Sequence, residues 1–335
     1  MKLSKLVVGI AAFSCFSVFA DNGFYGEANV MANWKDNLDQ QTGIATGFAG
    51  YKDKVKVKDI DVSYQLEGYY AASGDRFIAT NESDEFALRV ASLIFSTDYG
   101  SFYVGKGYSG AYLNLYKRVD IHPFSNSEQY TMNKMLFRQG KYSDSIIAYV
   151  TPWYDSAMGK FQAKMALVNP NSNDGANDDV LVGRILYSAG KFNAVINLNR
   201  IDEKFSGNAD NHHYNRYSFG ADYTFNNLTL AYTGEYSENA FSATSIEGYS
   251  EQVHSVAISI KQDDFKYGLS YQLVNSELAS RDDLGLVIGS VTYSYTKELD
   301  FMVEYAKYTG DNDFFVGGNT NPEDDSFTIG ARFNF

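Results

Sequence analysis

The chain holds a single cysteine, Cys15, among 335 residues, and only 4 prolines. An exported protein of this composition has no disulfide framework and must be stabilised by its fold alone. Basic residues are short too: 28 Lys and Arg face 41 Asp and Glu, for a formal charge of −13, and no basic stripe appears. That excludes a nucleic-acid binder, which needs clustered cations to displace counterions from phosphates. Beyond Ala20 there is no apolar run of the roughly 18 residues a membrane-spanning helix requires. If the rest of the chain enters a bilayer, it must do so as a closed barrel. What is abundant is aromatic: 27 Tyr, 24 Phe and 2 Trp. Rings at that level seek burial in a core or in lipid, which excludes a collagen-like or disordered chain.

The one continuous apolar stretch, Leu6 to Phe19, follows Lys2 and Lys5 and ends on Val18-Phe19-Ala20. This is the pattern of a secretory leader, residues 1–20, with cleavage before Asp21. A buried core helix and a lipoprotein anchor on Cys15 are the alternatives. The residues ahead of Cys15, Ala12-Phe13-Ser14, lack the Leu usual three positions before such an anchor. Loss of the leader leaves one domain, 21–335, with no cysteine and 26 basic against 41 acidic residues, a charge of −15.

In that domain the apolar residues recur at every second position. Phe24, Gly26, Ala28, Val30, Ala32 and Trp34 fall on one face, and Tyr25, Glu27, Asn29, Met31, Asn33 and Lys35 on the other. Strands show this period and helices do not. Sixteen such segments are expected, at 23–35, 43–51, 57–71, 85–97, 101–107, 135–151, 159–168, 180–188, 191–202, 214–225, 227–237, 251–262, 265–275, 286–296, 299–309 and 326–335. Segment 135–151 fits least well, because Ile146 and Ile147 make both faces apolar, and an added bend is expected there. A mean hydropathy of −0.31 follows directly, since polar and apolar faces cancel strand by strand.

The connections alternate in length. Short ones are expected at Lys52–Lys56, Asp98–Gly100, Pro152–Met158, Ala189–Gly190, Asn226, Asp263–Asp264 and Lys297–Glu298. Long ones are expected at Asp36–Thr42, Ala72–Asp84, Tyr108–Lys134, Asn169–Asp179, Glu203–His213, Glu238–Ser250, Ser276–Gly285 and Gly310–Asp325. Short turns at one end and long loops at the other describe an all-β transmembrane antiparallel barrel of about 16 strands. A soluble β-sandwich has no reason to sort its loops in this way. Aromatics near strand ends, Phe24, Trp34, Tyr70, Tyr223, Phe225, Tyr295 and Tyr308, fit interfacial girdles.

Several short motifs carry a family resemblance. The final residues, Ser326 to Phe335, alternate apolar side chains and end on Phe335, like the terminal strand by which outer-membrane barrels are recognised for assembly. Gly47-Phe48-Ala49-Gly50 with Tyr64-Gln65-Leu66-Glu67, Arg89 with Asp98-Tyr99-Gly100 and Val104-Gly105-Lys106, and Pro152-Trp153 with Gly159-Lys160-Phe161 follow in order. Together they resemble the Gram-negative general porins. The resemblance implies a sixteen-stranded homotrimer in the bacterial outer membrane, exported through the periplasm, whose third long loop, here Tyr108–Lys134, folds inward and narrows a pore. It also implies contact with the barrel-assembly machinery through the last strand, and with outer-membrane lipid and lipopolysaccharide. In the family a basic ladder faces an acidic inner loop. Arg89, Lys106 and Arg332 match ladder positions, whereas Glu27, Ala45 and Ala49 stand where bases are common.

The candidate constriction is accordingly Glu27, Arg89, Lys106, Tyr112, Tyr116, Lys117, Arg118, Asp120, Glu128 and Arg332. By alternation the wall carries eight acids, among them Asp222, Glu235 and Glu304, against seven bases. A weak cation preference at most is expected. The tyrosines of the inner loop can either stack on sugar rings or pack the loop to the wall, and packing is the more common use.

Other chemistry finds no support. Gly105 to Gly110 matches GxGxxG but lacks a βαβ unit. His212-His213 has no spaced third ligand, His254-Ser255 no catalytic partner, and Asn171 to Asp179 no calcium-loop register. No cofactor, metal or nucleic acid is expected. The reading is a passive outer-membrane channel for ions and small hydrophilic solutes. An oligosaccharide-selective pore, a barrel enzyme and a surface adhesin are the alternatives.

Overall fold

Alternation along the first segment makes a strand whose side chains face two different solvents. In the computed structural model this is β1 (Phe24–Lys35), with Asn29, Met31 and Asn33 buried inside and Phe24 and Val30 exposed outside. The structure describes residues 23–35, 38–72, 86–124, 141–168, 180–203, 212–242, 245–277, 283–310 and 325–335. The strands that follow are β2 (Leu38–Val57), β3 (Ile60–Ala72), β4 (Phe86–Thr97), β5 (Gly100–Tyr108), β6 (Tyr142–Val150), β7 (Tyr154–Ser156) and β8 (Gly159–Val168). The second half holds β9 (Val180–Ala189), β10 (Phe192–Glu203), β11 (His212–Phe225), β12 (Leu228–Ser242), β13 (Ser245–Gln262), β14 (Phe265–Ser276), β15 (Leu284–Ser294), β16 (Leu299–Gly310) and β17 (Ser326–Asn334).

Neighbours pair antiparallel throughout, and β1 pairs with both β2 and β17, so the sheet closes. Closure leaves no open edge along the wall, the condition for crossing lipid with strands. The seam is tied by Gly26 N–H to Phe335 O at 2.9 Å and Phe335 N–H to Gly26 O at 3.1 Å.

Because β6 and β7 both pair with β8, they are two halves of one stave, and the segments form sixteen staves. The interruption falls at Thr151-Pro152-Trp153, at and just beyond the end of segment 135–151, where an added bend was expected. Proline has no N–H for the ladder. The Thr151 hydroxyl substitutes there, accepting from Ala163 N at 3.0 Å. Within the expected connection Pro152–Met158, Tyr154–Ser156 continue as strand, so the reversal is confined to its end, at Ala157-Met158 beside Gly159 at φ 133°.

Two other connections also move. Lys52–Lys56, expected as a turn, is strand, and the turn lies at Lys58-Asp59 with Lys58 at φ 55°. Leu38 to Thr42, expected in a loop, is likewise strand. Strands are longer than the apolar segments because ladder hydrogen bonds continue into water, where side chains no longer need to be apolar. Glu203, His212 and much of 238–250 are strand for the same reason.

Outward rows carry Leu66, Leu93, Val104, Ile147, Met165, Ile185, Ile196, Phe219 and Leu269, all exposed. Such a surface matches hydrocarbon and not water. At the short-turn end the rings touch in groups: Phe24–Tyr51–Tyr64, Phe102–Tyr149, Phe161–Tyr187–Phe192, and Phe265–Tyr293–Tyr295–Phe301. This is an interfacial belt. Tyr308, expected in a belt, points inward against the buried cluster of Val253, Val274, Leu284, Leu286, Ile288 and Ala306. The side chain of Tyr70 lies outside the described residues.

One kink sets the faces of β5. Gly105 has φ 135°, and a Cβ there would lie 2.2 Å from Ala91 O. Replacing Gly105 by alanine is expected to cost about 1–3 kcal/mol through backbone strain. Denaturant unfolding in micelles measures it, and an unchanged midpoint would show that the kink relaxes freely.

Candidate pore constriction

Strand β5 ends where the chain turns into the barrel. Ser109 N–H donates to Lys141 O at 2.8 Å, closing the root of the insertion. The Ser109 hydroxyl then accepts from Tyr112 N at 3.0 Å and caps a short helix, α1 (Gly110–Asn114). Serine suits this position because its oxygen satisfies an N–H that the helix leaves without a partner. A 3-10 turn, Tyr116–Arg118, follows, and the chain continues along the inner wall to Phe124.

Apolar contacts hold this inner loop first. Ala111, Leu115 and Tyr116 pack on Val195 of β10 and on Leu186, while Val119 packs on Ala231 of β12 and Ala257 of β13. Missing side chains on the wall make room: a Cβ on Gly220 would approach Leu115 to 3.0 Å, and one on Gly330 would approach the Phe124 ring to 2.9 Å.

Polar contacts then fix the register, with wall cations holding loop oxygens. Lys164 Nζ donates to Asn114 Oδ1 at 2.8 Å, Lys266 Nζ to Ile121 O at 3.1 Å, and Arg332 Nη2 to Pro123 O at 3.3 Å. Wall acids hold loop donors: Tyr116 OH donates to Glu235 Oε1 at 2.5 Å and Phe124 N–H to Glu304 Oε2 at 2.9 Å. Arg118 binds Asp222 Oδ1 at 2.5 Å and its own Asn114 O at 2.6 Å. His122 sits between Ser270 Oγ at 2.7 Å and Ser290 Oγ at 2.8 Å. The loop is thus fastened to staves from β8 to β17.

The rest of the wall carries the remaining expected charges. Arg89 reaches inside through a register shift between Glu67 and Gly68, which turns its side chain away from the outward row of Leu88 and Leu93. Its Nε donates to Glu67 Oε1, and its guanidinium lies 3.8 Å from the Phe48 ring centre and 5.5 Å from that of Tyr142. Tyr142 continues into Tyr108 and Tyr112, and Lys141 Nζ lies 4.9 Å from the Tyr112 centre. Glu27 Oε2 lies 3.5 Å from Arg332 Nε, and Tyr112 OH donates to Asp120 Oδ2 at 2.8 Å. Lys117 projects exposed from the 3-10 turn.

Of the expected residues, the structure gathers Glu27, Arg89, Tyr112, Tyr116, Lys117, Arg118, Asp120 and Arg332 inside the barrel. Lys106 follows directly on the kink at Gly105, where the alternation of faces is interrupted; it pairs in register with Ala91 and bonds Asp144. Glu128 lies outside the described residues. Asn114, Ser270 and Ser290 were not anticipated, since nothing in their local sequence marks them as partners of a loop. Among the described residues no three His, Cys, Asp or Glu side chains are placed to hold a metal ion.

Comparison with solved structures places the same barrel in several bacterial outer-membrane proteins. Salmonella typhi OmpF, solved with daunomycin, superposes with a TM-score of 0.72 at 16% identity over 93% of this chain and 97% of that one. An anion-selective porin from Comamonas acidovorans gives 0.70 at 15% over 93% and 98%. In its trimer form, OmpT of Vibrio cholerae gives 0.63 at 17% over 93% and 98%. No curated protein matches the sequence. The sequence profile of one family, described as Gram-negative porin, matches residues 8–335, and the chain belongs to that family of outer-membrane channels.

Proposed function

We propose that this outer-membrane channel for small solutes works without chemistry, as a passive pore. Its aperture lies between the inner loop and the wall of Glu27, Glu67 and Arg89. The observation that carries this reading is the fastening of residues 109–124 across the lumen side of β8 to β17 by side chains of both signs. A loop anchored on so many staves sets a fixed cross-section, which selects by size and by field. The His122 imidazole, buried between the Ser270 and Ser290 hydroxyls, ties the loop to the wall, and no catalytic role is assigned. Purified protein in planar bilayers is expected to give discrete ohmic current steps; folded protein with no ion current would overturn the reading.

Oligosaccharide selectivity fits less well. The Tyr112 ring is already stacked with Tyr108 and capped by Lys141, so these aromatics serve the loop root and leave little face for a sugar.

The working unit on this reading is a homotrimer, which light scattering in detergent measures directly. The leader 1–20 is removed before Asp21, as N-terminal sequencing of the purified protein would show. Phe335, at the seam beside Gly26, supplies the signal to the assembly machinery, and the outward rows contact lipid and lipopolysaccharide.

A further inference from the structure

The charges of the lumen are not equally available to a passing ion. Glu235 and Glu304 lie beneath the inner loop, fully or almost fully buried, and are occupied with Tyr116 OH and Phe124 N–H. Glu67 is equally buried and bound to Arg89. Of the acids left open, Glu27 is held by Arg332, Asp61 by Lys54 at 2.7 Å, and Asp222 by Arg118. Asp120 is engaged by the Tyr112 hydroxyl, and Asp300 stands opposite Arg332 in the β16–β17 register.

The open cations are less matched. Lys117 projects from the loop, and among the described residues no carboxylate lies within ion-pair distance of it. Among the described residues, Lys164 and Lys266 donate to neutral oxygens of the loop, with Asp120 near Lys266. Below them, the stretch of β2 that the sequence presented as a turn places Lys52, Lys54 and Lys56 on the inward row, two residues apart and exposed; Lys54 is paired with Asp61, while among the described residues no carboxylate lies within ion-pair distance of Lys52 or Lys56. Phe48, in contact with Arg89, and Gly50, whose Cβ would meet the Tyr25 ring, fix the inward sense of that row. Lys52 and Lys54 also border a cleft of about 410 Å³ with Asp53, Ser63, Tyr64, Gln65, Ser92 and Ile94.

From this sorting we infer that the pore prefers anions, in contrast to the weak cation preference expected from alternation alone. The inference rests on the pore reading above and adds to it the class of solute: small anions, attracted along the β2 lysines and past Lys117. A low-dielectric wall focuses the field of charges in a narrow aqueous path, and at physiological salt charges within the Debye length of about 8 Å of a passing ion are not fully screened. Of the eight acids that made the chain look cation-selective, Asp222, Glu235 and Glu304 hold the loop, Glu27, Asp61 and Glu67 sit in ion pairs on the wall, Asp300 stands opposite Arg332, and Asp59 lies exposed at the turn after β2.

Reversal potential across a potassium chloride gradient tests this. The native channel is expected to show the chloride sign, moved toward or past zero by Lys117→Glu and by Lys52→Glu with Lys56→Glu. Lys307→Glu, outward on β16 beside Asp325, is the control and is expected to leave the potential in place. A native potential at zero or of potassium sign would overturn the inference while the pore stands. So would lumen substitutions that shift it no more than the control. Absence of any current would overturn the pore reading and this inference together.

Discussion

Replacing Arg89 by alanine is expected to destabilise the barrel by about 3–5 kcal/mol, the usual consequence of leaving a buried charge without its partner. Arg89 is 7% exposed and Glu67 2%, so neither has much water to fall back on. Alanine removes the donor to Glu67 Oε1 and the cation between Phe48 and Tyr142. The loss of cation–ring attraction adds about 0.5–2 kcal/mol to the gross effect. Removing both charges at once, as Arg89→Met with Glu67→Leu, is expected to recover most of the loss, because an apolar pair avoids the desolvation penalty. Guanidinium unfolding in micelles measures both. A drop below about 1 kcal/mol for Arg89→Ala would place the pair in the range of exposed ion pairs. Arg89 would then belong to the aperture itself, not to the wall beneath it.

The barrel was legible in the sequence because each strand separates lipid from water, and that leaves a period of two along β1, β14 and β17. Boundaries were less legible. The lysines of Lys52–Lys56 looked like a loop, yet the ladder continues through them, since hydrogen bonding is indifferent to what the side chains face. Facing was legible only where the ladder is regular. Lys106 follows Val104 by two residues, but the kink at Gly105 and the register shift on the β6 side interrupt the alternation between them, so a period of two does not carry the face of Val104 on to Lys106. Least legible was which charges the pore sees. Tyr116 meets Glu235 across 119 residues of sequence, and Phe124 meets Glu304 across 180. No local pattern encodes such partners, so acids that serve as loop anchors read as pore charges.

Those anchors make the second large effect testable. Tyr116→Ala is expected to weaken docking of the inner loop by about 3–5 kcal/mol, the range for deleting a large buried ring. Tyr116 is 1% exposed, packs on Ala111, Leu115 and Val195, and satisfies Glu235. Tyr116→Phe keeps the ring and removes only the hydroxyl, so its cost is expected at about 1.5–3 kcal/mol, the value of a hydrogen bond to a charged group. The sheet is held by its ladder, so the loss falls on local opening of the loop rather than on global unfolding. Hydrogen exchange reports it directly. The Leu115, Val119 and Asp120 amides, bonded to Ala111 O and Tyr116 O, should lose about 10²–10⁴-fold protection in Tyr116→Ala at 1.4 kcal/mol per decade. Amides of β14, held in the ladder by β13 and β15, should keep theirs. In bilayers the same variant should replace steady steps with a flickering current, as the loop leaves the wall and returns. Unchanged exchange with steady current would mean that Arg118, His122 and Phe124 hold the loop without Tyr116.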